Sequence, residues 1–282
     1  MSKIALITDT ASDLDDEQIK KYHVKILHYE VIYAEKTYKD QLEITSKEVL
    51  ESLEKEVPTT SIPSLNEMQL VFEEIKNEGY THVLVISVSS ELSGCYNAIN
   101  MIKDDYKELN TQVYDSKTIS IAQGVLVIRA AELIQKGYTL DAIIEELDKM
   151  RAKQETLFIV DTLKYLLIGG RIGHVSAAMG TLLNIKPIIT IGDDGKYHTF
   201  TKVRGRAKVV SAFIKRVEKM TVQNSAYKVY FTHGAGQEVK ERIKKEVVSR
   251  LGSQRVEDWG WISPVACVHC GPGFVGMLIQ QQ

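Results

Sequence analysis

The alternation of strand-like and helical segments over residues 3–151 constrains the fold more than any other feature of the sequence. Segments with the apolar character of buried strands are KIALITD (3–9), VKILHYEVIYA (24–34), THVLVISVSS (81–90) and TQVYDS (111–116). Segments with apolar residues every three or four positions, which is typical of helices, separate these strands and follow the last one. Strands that alternate with helices usually pair in parallel, so the pattern predicts an α/β fold with a mostly parallel sheet flanked by helices.

The pattern changes near residue 155. A strand (ETLFIVD, 155–161) precedes two short helical segments around a Gly-Gly-Arg break, and KPIITIGDDGKYHTFTKV (186–203) predicts a hairpin that turns at Asp194-Gly195. Two further helices, a strand (YKVYFTH, 227–233) and a closing apolar segment complete the chain. We therefore predict an N-terminal α/β domain over residues 1–155 and a C-terminal α+β domain over residues 156–282.

Charge and hydropathy exclude two classes of protein. A formal net charge of −2 argues against a nucleic-acid-binding protein, which normally carries an excess of basic residues. No apolar segment is as long as a transmembrane helix, and the first residues, MSKIALITDT, do not have the pattern of a signal peptide. The sequence predicts a cytoplasmic protein without a membrane span.

The three cysteines do not predict a disulfide scaffold, a metal site or a redox centre. Cys267 and Cys270 have the C-x-x-C spacing, but no second pair supplies the four ligands of a structural zinc site. A redox pair is expected near a helix N-terminus early in a βαβ unit, whereas this pair lies late in the sequence. We expect neither a metal nor a cofactor.

Three polar segments are expected at the carboxyl edge of the predicted sheet, where open α/β sheets bind ligands. They are TDTASD (8–13), TTSIPS (59–64) and SVSSELSG (87–94). Ser93 and Gly94 precede a predicted helix, where free N–H groups favour an anion, although a serine there is most often an N-cap. Thr45 with Glu48 and Ser64 with Glu67 both have the spacing of a helix cap. The hydroxyl groups of residues 59–61 are left without a capping role.

Two other patterns carry weaker signals. GPGFVG (271–276) matches the glycine spacing of a dinucleotide-binding loop, but it lacks the helix that this fingerprint requires. Ser93 with Asp9 and either His233 or His269 could form a hydrolase triad, although no G-x-S-x-G elbow is present. A Ser93-dependent lipid esterase or thioesterase is therefore the alternative enzymatic interpretation.

Taken together, these segments resemble the DegV family of fatty-acid-binding proteins. The similarity rests on ITDTASDL, TTSIPS, SSELSGCYNA, DSKTIS, GGRI, LLNIKPIITIGDDGK, KVRGRAK and HCGPGFVGM, which occur in the family's order along the chain. The sequence departs from the usual pattern at Ile62, where glutamine is common, and at Cys95, where threonine is common.

The resemblance implies a lipid carrier with a bound long-chain fatty acid in a tunnel between two domains. By motif, Thr60 and Ser93 would hydrogen-bond the carboxylate, with Ser61 and the Gly94 N–H close by. Arg171 and His269 would form the polar rim of the site. Some members are subunits of a bacterial fatty-acid kinase, and Arg204 matches a position that is implicated in the reaction with the ATP-binding partner. The chain itself would not be an enzyme, and we allow for transient contact with a membrane.

Overall fold

The computed structural model describes residues 3–178, 185–221 and 226–281. Within these ranges the chain forms thirteen strands and ten α-helices. The strands are β1 (Ile4–Asp9), β2 (Val24–Leu27), β3 (Glu30–Ile32), β4 (Thr37–Lys39), β5 (Thr59–Ser61), β6 (His82–Ser87), β7 (Asn110–Asp115), β8 (Gln154–Ile159), β9 (Ile185–Ile191), β10 (Tyr197–Arg204), β11 (Tyr227–Gly234), β12 (Val256–Trp261) and β13 (Phe274–Gln281). The helices are α1 (Asp16–Tyr22), α2 (Ser46–Ser52), α3 (Leu65–Asn77), α4 (Cys95–Ile102), α5 (Ile121–Gln135), α6 (Leu140–Arg151), α7 (Lys164–Ile168), α8 (Arg206–Thr221), α9 (Gln237–Leu251) and α10 (Pro264–Cys270).

The first large sheet is parallel and has the strand order β2-β1-β6-β7. Its central strands β1 and β6 are buried on both faces, as is usual in parallel sheets, whereas the edge strands β2 and β7 are partly exposed. Alternate residues of β1 face opposite sides, so that Ile7 packs with α3 and α4 whereas Leu6 packs with α5 and α6. The predicted α/β fold, with a mostly parallel sheet flanked by helices, is confirmed.

The second large sheet has six strands in the order β10-β9-β8-β13-β11-β12. Neighbouring strands in this sheet are antiparallel, except for β11 and β12, which are parallel. Helices α8 and α9 cover one face, where Met277 and Ile279 of β13 join their core. The first strand of this sheet in sequence, β8, begins at Gln154, close to the domain boundary that the sequence suggests. The division of the chain into two domains at residue 155 stays a prediction.

Two local predictions were wrong. The segment 24–34 is not one strand, because it breaks at His28–Tyr29 into β2, which belongs to the parallel sheet, and β3, which does not. Residues 59–61 are not a loop at the carboxyl edge of the parallel sheet. They form β5, which pairs antiparallel with β3 in a small sheet of order β4-β3-β5.

Several other local predictions are confirmed. Thr45 and Glu48 form the reciprocal capping box of α2, and the Ser64 hydroxyl accepts from the Glu67 N–H at the start of α3. The hairpin between β9 and β10 turns at the predicted Asp194-Gly195. After GGR the chain forms a 3₁₀ turn over Gly173–Ala178, and the rest of the predicted second short helix, residues 179–184, lies outside the described residues.

No helix in the described parts of the chain combines the length and the apolar character needed to cross a membrane.

Candidate functional site

An apolar cavity lies between the parallel sheet and the face of the second sheet that α8 and α9 leave free. Side chains alternate along strands, so Thr156 and Phe158 of β8 and Phe274 and Gly276 of β13 face this cavity while their neighbours face the helices. The remaining apolar lining comes from both halves of the chain: Ala11, Tyr29, Val88, Leu92, Ile119, Ile121, Ile191, Tyr197, Ile262, Val265, Ala266 and Cys270.

The size and lining of the cavity suit an apolar ligand. The space between the lining atoms is about 820 Å³, part of which is open to solvent. The lining is mostly aliphatic and aromatic, so an apolar chain that enters the cavity removes both its own surface and the lining from water, which is favourable.

Thr60 and His269 meet at the wall of this cavity. The Thr60 hydroxyl and the His269 Nε2 are 2.9 Å apart, although 209 positions separate the two residues in sequence. Strand β5 carries Thr60, and α10 carries His269 one residue before its end. Both residues line the cavity.

The imidazole of His269 is held in a tight and poorly solvated place. Its Nδ1 is buried and has no hydrogen-bond partner among the described residues. A Cβ added to Gly169 would lie 2.2 Å from that nitrogen, so only glycine at this position leaves room for the ring. Burial, and secondarily the nearby Arg171 charge, lower the pKa of His269 from 6.5 to about 4. His269 is therefore neutral at physiological pH.

Arg171 lines the same cavity with a guanidinium that is only partly engaged. Its Nε donates to the Leu92 carbonyl at 3.2 Å, and its Nη1 donates to the Gly169 carbonyl. Within the described residues these carbonyl contacts are its hydrogen bonds, and no carboxylate pairs with it. A positive charge without an acidic partner beside an apolar cavity favours a ligand with a negative group.

Ser93 contributes a hydroxyl from just before α4. Its oxygen accepts a hydrogen bond from the Tyr29 hydroxyl at 2.6 Å and another from the Cys95 N–H at 3.2 Å. Burial raises the pKa of Tyr29 well above its usual value, so Tyr29 stays protonated and remains the donor. The proton of Ser93 is thus directed away from Tyr29 and is available to a ligand.

The other predicted site residues lie outside the lining of the cavity. Ser61 follows Thr60 in β5, and successive strand residues face opposite sides, so its hydroxyl donates instead to the Ile62 carbonyl. Gly94 is the N-cap of α4, directly after Ser93. Arg204 is an exposed residue at the far end of β10. Seven residue steps of extended strand place it roughly 23 Å from Tyr197 at the cavity.

The hydrolase triad is not assembled. The Ser93 hydroxyl contacts Tyr29 and Cys95, and no histidine bonds to it within the described residues. His269 pairs with Thr60. Asp9 accepts from the backbone of Ala11 and Val88 and from Gln123 instead of orienting a histidine. The geometry does not support the esterase alternative.

Sequence reasoning missed two tyrosines of the site. Tyr29 positions Ser93, as described above. Tyr197 is buried in the cavity wall, where its ring packs edge-on against Phe158 with 5.0 Å between the ring centroids. Neither residue lies in a motif, and no spacing in the sequence links them to the hydroxyl segments.

Three carboxyl groups, those of Asp9, Asp13 and Asp40, are buried, which the sequence did not indicate, and two of them hold α10 in place. Asp13 Oδ1 accepts from the Ser263 N–H at 2.7 Å, and Asp40 Oδ1 accepts from the Val265 N–H at 2.9 Å. Burial raises the pKa of Asp9 and of Asp13 to about 6 and that of Asp40 to about 7. These contacts fix the start of the helix that carries His269.

The fold and this cavity define a class of α/β protein in which a parallel sheet and a mixed sheet face each other across an apolar cavity with a few polar groups at its wall. A family model described as the DegV family matches residues 3–282. The chain belongs to the DegV family.

Relatives with this fold cover nearly the whole chain. A DegV domain-containing protein of Clostridium acetobutylicum is 39% identical over 279 residues, which is 99% of each chain. A solved DegV family protein of Thermus thermophilus, described by its fatty-acid binding, has a TM-score of 0.92 and 29% identity, and the match covers 99% of this chain and 100% of that one. A stearic-acid-binding protein of Eubacterium ventriosum has a TM-score of 0.88 and 29% identity, with 100% and 98% coverage.

Proposed function

We propose that this protein binds a long-chain fatty acid and presents its carboxylate to a separate ATP-dependent fatty-acid kinase in the cytoplasm. The observation that carries the proposal is the apolar cavity with Thr60, Ser93, Arg171 and His269 in its wall. Solved relatives that bind fatty acids share this fold over the full chain. The chain would act as the lipid-presenting subunit and would have no catalytic residues of its own.

The tail supplies most of the binding free energy. Each buried methylene contributes roughly 0.8 kcal/mol, so an acyl chain of about fourteen methylenes gains up to about 11 kcal/mol before entropic costs. The apolar lining would replace the water around such a chain by direct contacts.

The head group would be bound by neutral donors next to a cation. Hydroxyl groups of Thr60 and Ser93 donate to the carboxylate, with Ser61 and the Gly94 N–H on the adjacent backbone. Arg171 offsets the charge that would otherwise be costly in a poorly solvated site. Since these donors are neutral except for Arg171, the carboxylate is not locked into a closed ion pair and stays available for reaction.

The rim residues suit the transfer of a phosphoryl group to this carboxylate. Transfer brings additional negative charge beside the one already present, and positioned cations or hydrogen-bond donors stabilise it. Arg171 has a guanidinium nitrogen left over for this purpose, and neutral His269 would donate its one ring N–H to Thr60 and so direct the Thr60 hydroxyl proton to the carboxylate. Arg204, roughly 23 Å along β10 from the cavity, is better placed to contact the kinase than the reacting atoms.

Mass spectrometry of an organic extract of the purified protein tests the binding proposal. We expect a long-chain fatty acid without any being added. Thr156→Phe, which fills the cavity from β8, should carry little lipid. Thr156→Val, which only exchanges the hydroxyl for a methyl group, should carry as much lipid as the wild type. Wild-type protein that is lipid-free and also fails to bind added palmitate or oleate would contradict the proposal.

Phosphorylation of the bound lipid by the cognate kinase and ATP tests the presentation role. Arg171→Ala and His269→Ala should keep the fatty acid but lose acyl-phosphate formation. Arg204→Ala should react normally at saturating carrier and slowly at limiting carrier, with a deficit that shrinks as salt is added, because salt screens the attraction that the wild type gains from this exposed charge. Wild-type rates for the first two variants would remove both residues from the site, and a deficit of Arg204→Ala that excess carrier cannot restore would place Arg204 in the chemistry.

A further inference from the structure

A second constellation of polar side chains lies outside the cavity lining, where the hairpin between β9 and β10 meets the 3₁₀ turn at 173–178. His174 belongs to the turn, Asp194 to the hairpin loop and His198 to β10. One potential ligand atom from each residue lies within 4.8 Å of the other two. His174 and Asp194 are exposed, so an ion in solution can reach the group.

The backbone around this group is built to keep the three side chains together. The Asp194 carboxylate accepts from the Lys196 N–H at 3.1 Å and lies 3.0 Å from His198 Nε2. A Cβ at Gly192 would lie 2.7 Å from that carboxylate and 2.9 Å from His198 Nε2, so glycine leaves the space free. Gly173 adopts φ +54, and a Cβ there would lie 2.7 Å from the Tyr197 carbonyl. The turn therefore rests directly on β10.

The imidazole rings of His174 and His198 are stacked on each other, and no hydrogen bond joins them. The rings of His174 and His198 stack with centroids 4.7 Å apart and planes inclined by 26°. The Asp194 carboxylate is within hydrogen-bond distance of His198 and makes no hydrogen bond to His174. A ring nitrogen of His174 therefore lies close to the Asp194–His198 pair without taking part in its hydrogen bond.

We propose that His174, Asp194 and His198 form a binding site for a divalent transition-metal ion of the Zn²⁺ class. Two imidazole nitrogens and one carboxylate oxygen are ligands that this class of ion prefers, and three protein ligands leave a position for water. Metal–ligand bonds of about 2.0–2.1 Å separate tetrahedral ligand atoms by roughly 3.4 Å. The Asp194–His198 spacing of 3.0 Å is already close to this value. The exposed His174 side chain must move by at most about 1.4 Å from the 4.8 Å limit and must also rotate out of its stack on His198, because the lone pair of each ring nitrogen lies in the plane of its ring.

An ion at this position would cross-link two parts of the cavity wall. Arg171 and Tyr197 line the cavity. Arg171 lies three residues before His174 in sequence, and Tyr197 directly precedes His198. The sequence alone points only to Cys267 and Cys270 as candidate metal ligands and predicts no metal.

Isothermal titration of the full-length protein with Zn²⁺ tests the site, with chelator-treated protein as the starting material. We expect one equivalent to bind to the wild type. Loss of one ligand should weaken binding by at least about tenfold, because even outer-shell changes cost about 10–100-fold. His174→Asn and His198→Asn should each show this loss, whereas His23→Asn, at an exposed position with φ 52 that asparagine tolerates, should not.

A second measurement separates ligand loss from misfolding. Thermal unfolding without metal should give the same midpoint for His174→Asn as for the wild type, because His174 is exposed. With excess Zn²⁺ the midpoint should rise for the wild type and for His23→Asn but not for His174→Asn. Equal Zn²⁺ affinity of the wild type and both ligand variants, or no binding by the wild type, would overturn the proposal.

Discussion

Gly169→Ala tests the tight contact between the GGRI segment and His269. The glycine has φ −73 and ψ −7, which any residue adopts, so alanine introduces no backbone strain. Its new methyl group would lie 2.2 Å from His269 Nδ1 and 2.8 Å from Cε1. The ring cannot turn aside without losing the contact between its Nε2 and Thr60.

The expected cost is the difference between two effects of known size. Overpacking of this kind destabilises a protein by about 1–3 kcal/mol. Replacement of glycine by alanine in an allowed conformation gains about 0.4–1 kcal/mol by restricting the unfolded chain. The net change in the wild-type background should therefore be a loss of up to about 2.5 kcal/mol.

The background His269→Ala provides the matched control, since the ring that blocks the methyl group is then absent and the next contact is the Tyr165 carbonyl oxygen at 3.2 Å. In that background Gly169→Ala should stabilise the protein by about 0.4–1 kcal/mol, so that the effect changes sign. The assay is urea-induced unfolding of the four proteins at matched lipid content, with the interaction energy taken from the double-mutant cycle. An equal cost of Gly169→Ala in both backgrounds would refute the steric argument.

Three other outcomes follow from the site and its surroundings. Ser93→Ala or Thr60→Ala should leave the lipid content measured by mass spectrometry unchanged, because one charged hydrogen bond contributes about 1.5–3 kcal/mol against a much larger tail contribution; a folded but empty variant would show that the head group dominates. Burial raises the pKa of Asp40 from 3.8 to about 7. The folded protein therefore binds a proton more tightly than the unfolded chain, and this binding stabilises the fold by about 4 kcal/mol below pH 3.8. The contribution is lost as the pH rises through 7. Asp40→Asn should remove this loss and flatten the pH dependence of urea unfolding between pH 5 and pH 8, and identical slopes for the two proteins would contradict the assignment. Cys267 and Cys270 are buried thiols whose pKa is raised, that of Cys270 to about 12; native protein should therefore resist iodoacetamide until urea unfolds it, and rapid native labelling would count against this environment.

The periodic parts of the fold could be predicted from the sequence, because each element carries its own signal. Apolar runs identified the strands of the parallel sheet, and a serine or threonine three residues before a glutamate marked the starts of α2 and α3. The strand β5 could not be identified, since three residues are too few to show a period and its partner β3 lies about thirty residues away.

The candidate site was less accessible because its geometry depends on contacts between distant residues. The motifs suggested Thr60 and His269 separately, but their direct contact depends on how α10 lies against β5. Tyr29 could not be inferred, because a tyrosine in a strand-like run is usually a core residue. The buried Asp13 and Asp40 were equally hidden, since only the fold shows that they accept from the backbone at the start of α10.

The position of β13 in the second sheet has a consequence for synthesis on the ribosome. This strand follows β8 and β11 in sequence, yet it lies between them and pairs with both. A nascent chain that has reached Trp261 therefore has no partner for the facing edges of β8 and β11, and unpaired edges invite aggregation. Phe274 and Gly276 of β13 also complete the cavity wall. We expect that the second sheet is completed only when β13 has been synthesised. Chaperones that bind nascent chains should matter most just before this step, and a lipid can be loaded only after it.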